Sequence, residues 1–447
     1  MTLKFGTDGV RGHADELDDR FVFALGRAAS EVLAGSTGHF VIGMDTRESG
    51  PRIERALRAG IEAQGTAAEV LGVVPTPAVA CLAMAEDVPG AVISASHNPF
   101  GDNGIKFFAA GGLKLSDAVE EQLEAALDRM LADLGDDPDL GAGHDEPDAS
   151  RIERYETMVA SSLGGRTLDG LRVVIDCANG ASSHVAPDVL RRLGAEVVVL
   201  HAAPDGRNIN LDCGSTHPAS LQAAVVEHGA AIGLAFDGDA DRVLAVDEAG
   251  ALVDGDHMIA LCAIDLRERG ELVDDTVVVT VMTNLGFRLA MADRGIKVVE
   301  TQVGDRYVLE ALEAGGYVIG GEQSGHVIFR RLATTGDGLL TGVQLLDLLV
   351  RAGRPLSALA AESMTQLPQV LKNVRVAHRD PDIATHIAVE IAAVEAELGD
   401  HGRVLVRPSG TEPLVRVMIE APDTAVAEAA ADRLIAAVVA VAGRPTT

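Results

Sequence analysis

Three stretches of this chain repeat one pattern: an apolar strand, a polar turn, an amphipathic helix, a glycine, a second strand, and later a third strand that runs into a polar loop. The first runs from Phe40-Val41-Ile42 through a helix over Ile53 to Gln64, and ends with Ala91-Val92-Ile93 entering SASHNP. The second starts at Val173-Val174-Ile175, has a helix near Pro187 to Leu193, and ends with the apolar run from Ala231 to Ala235 entering DGDADR. The third starts at Val277-Val278-Val279, has a helix from Phe287 to Asp293, and ends with Tyr317-Val318-Ile319 entering GGEQSGH. Strands joined by crossover helices build a mostly parallel sheet with helices on both faces. Ligands of such sheets sit beyond the carboxyl ends of the strands, where all three polar loops fall.

From about Leu367 the rhythm changes. A strand near Val374-Arg375-Val376 precedes a helix from Ile383 to Leu398. Strands Arg403 to Val406 and Val415 to Glu420 bracket RPSGTEP, and a helix from Thr424 to Val441 follows. The 447 residues exceed what one hydrophobic core holds, and 47% hydrophobic residues suffice for several. The predicted architecture is α/β: three repeated domains with mixed or parallel sheets, over 1–152, 153–255 and 256–366, around a cleft. A smaller α+β domain over 367–447 completes it. The acidic stretch Gly135 to Asp148 reads as a solvated connector after a helix from Asp117 to Leu134.

A net charge of −30 repels polyanions, which argues against nucleic acid or an anionic membrane as partner. A small phosphorylated ligand would meet the same repulsion, so its site must gather a minority of arginines and lysines. The longest apolar runs, such as Leu434 to Ala442, fall short of the roughly 18 residues that span a bilayer. The opening MTLKFGTDG lacks a basic and then apolar signal, so a cytoplasmic protein is expected. Cys81, Cys177, Cys213 and Cys262 show no CxxC spacing and read as reduced core thiols.

The sharpest chemical signal is Asp237-Gly238-Asp239-Ala240-Asp241-Arg242, three carboxylates at alternate positions after a buried strand. A hard divalent cation needs such an oxygen array, and magnesium with a phosphate oxygen as further ligand fits it. An EF-hand is excluded because Arg242 stands where its sixth-position glycine belongs; an aspartyl nucleophile at Asp237 is the rival. Ser96, in Ser94-Ala95-Ser96-His97-Asn98-Pro99, is a candidate phosphoryl carrier, with Lys106 beyond it as a charge or proton partner. Glu322 and Ser324 could clasp neighbouring sugar hydroxyls, and His326 could move a proton. Arg407, Ser409, Gly410, Thr411 and Arg416 make a phosphate cradle, and Arg11 lies in a glycine-rich turn.

In this order the serine loop SASHNP, metal loop DGDADR, sugar loop GEQSGH and phosphate loop RPSGTEP resemble the α-D-phosphohexomutase superfamily over essentially the whole chain. GTDGVRG, DNGIKFF, VGDRYV and the glutamine of EQSGH are similar to its bacterial phosphoglucosamine mutase branch; the mannose and glucose branches more often have methionine at Gln323. The resemblance implies four domains and interconversion of glucosamine 6-phosphate and glucosamine 1-phosphate, feeding UDP-N-acetylglucosamine and the cell wall. Phospho-Ser96 would be the carrier, a sugar bisphosphate the intermediate and activator, and Mg2+ the metal, held by Ser96, Asp237, Asp239 and Asp241. Arg11, Lys106 and His326 would be catalytic. Arg306, within VGDRYV, joins Glu322, Ser324, Arg407, Ser409, Gly410, Thr411 and Arg416 as a substrate contact. A mannose or glucose mutase and a non-catalytic sugar-phosphate sensor stay open as alternatives, as does a homodimer.

Overall fold

The computed structural model describes residues 5–6, 9–35, 38–135, 138–141, 147, 149–378, 380–408 and 413–443. They divide into two compact units, residues 1–282 with 297–363, and residues 283–296 with 364–447.

The first unit contains three sheets built to one plan. In each, three parallel strands form the centre, and an antiparallel strand returns from the third. His39–Met44 pairs in parallel with Ala67–Val73 and Gly90–Ile93, while Asp102–Phe108 returns antiparallel. Arg172–Asp176 pairs with Glu196–Leu200 and Ile232–Phe236, and Val243–Asp247 returns. Thr276–Thr280 pairs with Lys297–Thr301 and Ile319–Gly321, and Val327–Phe329 returns.

These return strands make the sheets mixed, within the mixed or parallel sheets expected, and each polar loop is the turn of a hairpin. The registers Ile93↔Ile105, Phe236↔Val243 and Gly321↔Val327 close the three turns. A hairpin turn is fixed by ladder hydrogen bonds on both sides, so it holds side chains more rigidly than an open connection.

Burial explains why these strands form. Gly90–Ile93 and Ile232–Phe236 are buried at every position, as strands covered on both faces must be. In the first sheet Phe40, Ile42, Ala91, Ile93 and Ile105 share a core with Ile53 and Leu57 of the helix Gly50–Glu62. Phe40 meets Phe107 edge to face at 6.3 Å.

The second unit holds a three-stranded antiparallel sheet, with Leu414–Glu420 between Gln369–Arg375 and Arg403–Pro408. The helix Thr424–Ala442 is capped by Asp423, whose carboxylate accepts from the Ala425 and Val426 amides. The helix expected over Ile383 to Leu398 is two helices, Ile383–His386 and Ala388–Leu398. The β-branched Ile387 leaves helical geometry between them (φ −108°) and stays in the core at 3% exposure. The helix Leu285–Asp293, read from the sequence as part of the third repeat, lies in this unit. The buried Glu420 accepts hydrogen bonds from the Leu285 amide and the Asn284 side chain at its amino end. Among the described residues no helix is long and apolar enough to cross a membrane.

Candidate active site

Ser96 sits at the turn of the first hairpin in a left-handed backbone conformation (φ 52°), which a non-glycine residue holds only when its surroundings enforce it. The enforcing group is Arg47, fully buried and absent from the sequence-based candidates. All five of its N–H groups are used. Nε donates to Asp45 (2.9 Å), Nη1 to the Asp102 (3.0 Å) and Pro99 carbonyls, and Nη2 to those of Ser96 (3.0 Å) and Asn98 (2.8 Å). Asp45 in turn accepts from Ser94 Oγ (2.7 Å), which accepts from the Ser96 amide (2.9 Å). From the second repeat, Asn210 Nδ2 donates to the carbonyls of Ser96 (2.8 Å) and Asn98 (3.1 Å).

Burial pushes the Asp45 carboxyl above its ordinary value, and the Arg47 charge and the Ser94 hydroxyl oppose it. The guanidinium therefore keeps an otherwise expensive buried carboxylate in place. Arg47→Ala is expected to cost about 3–5 kcal/mol of stability, the penalty for stranding a buried charge, read by urea denaturation. Asp45→Asn in the same chain should recover part of that loss.

The second hairpin turn brings Asp237, Asp239 and Asp241 together, at 0%, 0% and 4% exposure, with one oxygen from each within 4.8 Å of the others. Gly238 is required there: a Cβ at that position would stand 2.6 Å from the Ser96 carbonyl and 2.8 Å from Asn210 Nδ2. Ser96 Oγ donates to Asp237 Oδ2 at 2.6 Å. The alcohol of one repeat thus meets the acids of the next.

The electrostatics are uneven. Burial, then the charges of Asp241 and Asp239, raises the Asp237 carboxyl well above its ordinary value. Burial also pushes Asp241 up, but Lys106, His326 and Arg242 outweigh it and hold Asp241 well below the usual range. Lys106 Nζ donates to Asp239 Oδ2 at 2.9 Å and stands 3.6 Å from Asp241. Thr76 also donates to Asp239 Oδ2 (2.8 Å). Asp239 Oδ1 and Asp241 Oδ1 are buried and find no hydrogen-bond partner among the described residues. Two orphaned carboxylate oxygens in an all-oxygen array fit a hard divalent cation.

Arg242, directly after the acidic triplet and not among the sequence-based candidates, also joins this cluster. Its amide donates to Asp237 Oδ1 (3.2 Å), and Nη1 donates to His97 Nδ1 (3.3 Å). His97 is held below its ordinary value by burial and then by the charges of Arg242 and Arg11, so Arg11 is felt on the same loop. Arg11 is half-buried in the strand Gly9–His13, opposite Gly104.

The third hairpin turn carries His326, 1% exposed, with Nδ1 3.6 Å from Asp241 Oδ2 and Nε2 3.2 Å from Asp305 Oδ2. The Gly336 amide donates to Nε2 (3.0 Å), which leaves the neutral ring's proton on Nδ1, towards Asp241. Burial lowers this imidazole, but the Asp305 and Asp241 carboxylates prevail and hold it above its ordinary value. Glu322 is half-buried and accepts from the Gly304 amide (3.2 Å) and Ser324 Oγ (3.5 Å), with Ser324 exposed. Gly325 presses this loop onto the second hairpin: its carbonyl accepts from the Val243 amide at 3.1 Å, and a Cβ there would lie 2.0 Å from the Val243 oxygen.

Arg306 adjoins Asp305 at the start of the helix Asp305–Gly315. It is 4% exposed, and its guanidinium is taken by Asp117 and by Glu120 (2.5 Å), on the helix Asp117–Asp133. In the second unit Arg407 and Arg416 are direct cross-strand partners. Burial, then the Arg416 charge, lowers Arg407 from its ordinary value, the sign of two cations held together where an anion would relieve both. Ser409, Gly410 and Thr411 lie outside the described residues.

Sequence comparison matches residues 2–132, 153–250, 254–367 and 371–437 to domains I, II, III and the C-terminal domain of phosphoglucomutase/phosphomannomutase. The phosphoglucosamine mutase of Frankia alni is 54% identical, with 98% of each chain covered. That of Rhodococcus jostii is 52% identical, covering 99% of this chain and all of its own. Among solved structures, a phosphoglucomutase/phosphomannomutase family protein from Burkholderia thailandensis superposes with a TM-score of 0.78 at 26% identity, with 97% of each chain covered. The Aspergillus fumigatus N-acetylphosphoglucosamine mutase, solved with GlcNAc-6P and magnesium, shares the fold at a TM-score of 0.71 and 18% identity, covering 99% of this chain and 96% of its own.

Proposed function

Because the chain belongs to the phosphoglucomutase/phosphomannomutase family, and within it to the phosphoglucosamine mutases, we propose that it interconverts glucosamine 6-phosphate and glucosamine 1-phosphate through a phosphoryl group carried on Ser96. The observation that carries this reading is the 2.6 Å hydrogen bond from Ser96 Oγ to Asp237, inside a cluster of three buried aspartates.

In the forward half-reaction the bond between phosphorus and Ser96 Oγ breaks while a bond forms to the free sugar hydroxyl, whose proton passes to a base. His326, its ring fixed by Gly336 and its basicity raised by two carboxylates, suits that role. Lys106, pinned beside the aspartates, and Arg11 supply positive charge around the transferring group. The bisphosphorylated sugar turns over, its other phosphate returns to Ser96, and the proton goes back to the oxygen left behind. No phosphate is consumed. Asp237, Asp239 and Asp241 would hold a hard divalent cation, magnesium by this reading; when bound, it offsets negative charge at the phosphoryl centre. Glu322 and Ser324 read the sugar hydroxyls in both orientations.

Arg407 and Arg416, with Ser409, Gly410 and Thr411, hold the phosphate that is not reacting. Arg407→Ala is then expected to raise KM by about 10–100-fold, the worth of a charge-assisted hydrogen bond, with metal affinity unchanged. Equal loss of both affinities would remove the cradle. The test of the function is intact-mass detection of one phosphate on Ser96, coupled to turnover of glucosamine 1-phosphate against the mannose and glucose phosphates. Preference for mannose or glucose would reassign the substrate. Release of inorganic phosphate with label on Asp237 would make the protein a phosphatase, and binding without label exchange would make it a sensor.

A further inference from the structure

A second convergence of metal-ligating side chains lies in the middle sheet, apart from the three aspartates. Asp176 ends the strand Arg172–Asp176, His201 follows the strand Glu196–Leu200, and Cys213 comes from the loop beyond it. One oxygen, one nitrogen and the sulphur from these residues lie within 4.8 Å of one another. Asp176 and Cys213 are fully buried, and the His201 side chain is one-third exposed (33%).

The carboxylate is fixed in orientation, since Oδ1 accepts from the Ala178 amide (2.9 Å) and Oδ2 from the Gly214 amide (3.0 Å). Each oxygen keeps a second lone pair. His201 Nδ1 stands 3.0 Å from Asp176 Oδ2 yet lies off the hydrogen-bond axis, and this buried nitrogen has no hydrogen-bond partner among the described residues. A close but misaligned pair is what two ligands of a shared ion present. Metal–ligand bonds of about 2.0–2.3 Å in a tetrahedron separate ligand atoms by roughly 3.3–3.7 Å, so the 3.0 Å pair has to open by a few tenths of an ångström to take an ion.

We propose that Asp176, His201 and Cys213 form a cation site that takes a transition metal of zinc's class, with solvent in the fourth position on the exposed side of the imidazole. Sulphur and nitrogen donors select such a cation and reject magnesium, which prefers oxygen. The thiol proton leaves to solvent as the metal–sulphur bond forms. The three ligands tie two strands to the loop of residues 201–215. From that loop Asn210, its amide bonded to the Ala178 carbonyl (2.9 Å), reaches the Ser96 and Asn98 carbonyls. An occupied site would therefore stiffen the support of the serine loop without touching substrate.

The test is a Co2+ titration of the full-length protein followed by absorption. One equivalent should generate a sulphur-to-cobalt charge-transfer band that Zn2+ bleaches. Cys213→Ser should abolish the band, and Asp237→Asn should leave it intact. His201→Asn, whose side chain tolerates the left-handed φ of 46° at that position, should weaken Co2+ binding at least about tenfold; it serves as the second variant should Cys213→Ser fail to fold. No band at saturating Co2+, a band that survives Cys213→Ser, or unchanged affinity in His201→Asn overturns the proposal.

Discussion

Ser96→Ala is expected to lower turnover by at least about 10⁴-fold, the scale of loss when a covalent nucleophile is removed, while the fold persists. The reason lies in what the hydroxyl does and does not hold. Its backbone conformation is set by Arg47 and Asn210 through main-chain carbonyls, and by Ser94 through the amide, none of which needs the Ser96 side chain. The variant loses two hydrogen bonds, to Asp237 and the longer one with His97 Nδ1 (3.4 Å), and with them the atom that carries phosphate. Thermal melting should therefore move little, intact mass should show no phosphate, and no exchange of label between the two phosphate positions of the sugar should occur. A variant with near-normal rate would reject Ser96 as the carrier.

Asp237→Asn should have two opposed effects: turnover down about 10³-fold, and a metal-free protein that is more stable than the parent. Loss of a cation ligand removes several kcal/mol of charge stabilisation at the phosphoryl group, and each 1.4 kcal/mol is about tenfold in rate. The gain in stability follows from the carboxyl's raised pKa, caused by burial and by Asp241 and Asp239. The folded state holds a proton that the unfolded state, titrating near about 3.9, has already lost. Stability contributed by this group is thus present at low pH and declines as pH rises from the unfolded value through the folded one. Asparagine, which does not titrate, escapes that decline. Urea denaturation of both chains without metal, at pH 5 and pH 7, should show the variant's advantage growing with pH. Added magnesium should stabilise the parent and leave the variant unchanged. A variant less stable than the parent at pH 7, or equally stabilised by magnesium, would show that Asp237 carries no such electrostatic penalty or is no ligand.

The three repeats and the chemistry of their loops were legible along the chain because both depend on local order. Alternating apolar runs mark buried strands, and a triplet of alternate aspartates declares its affinity for cations whatever surrounds it. The same was true of the final sheet, whose strands and capped helix carry their own short-range signals. What tertiary structure alone decided is which side chains meet. Arg47, an unremarkable basic residue in a turn, becomes the group that shapes the serine loop only when four carbonyls from Ser96 to Asp102 fold over it. Asp176, His201 and Cys213 have no motif spacing, and converge because parallel strands deliver their ends side by side. Arg306 looked available in sequence, yet two acids on a helix nearly 190 positions earlier claim it (separations 189 and 186). Pattern in one dimension reports burial and local chemistry. Partnership between distant residues is set by the packing of sheets, which no short window of sequence contains.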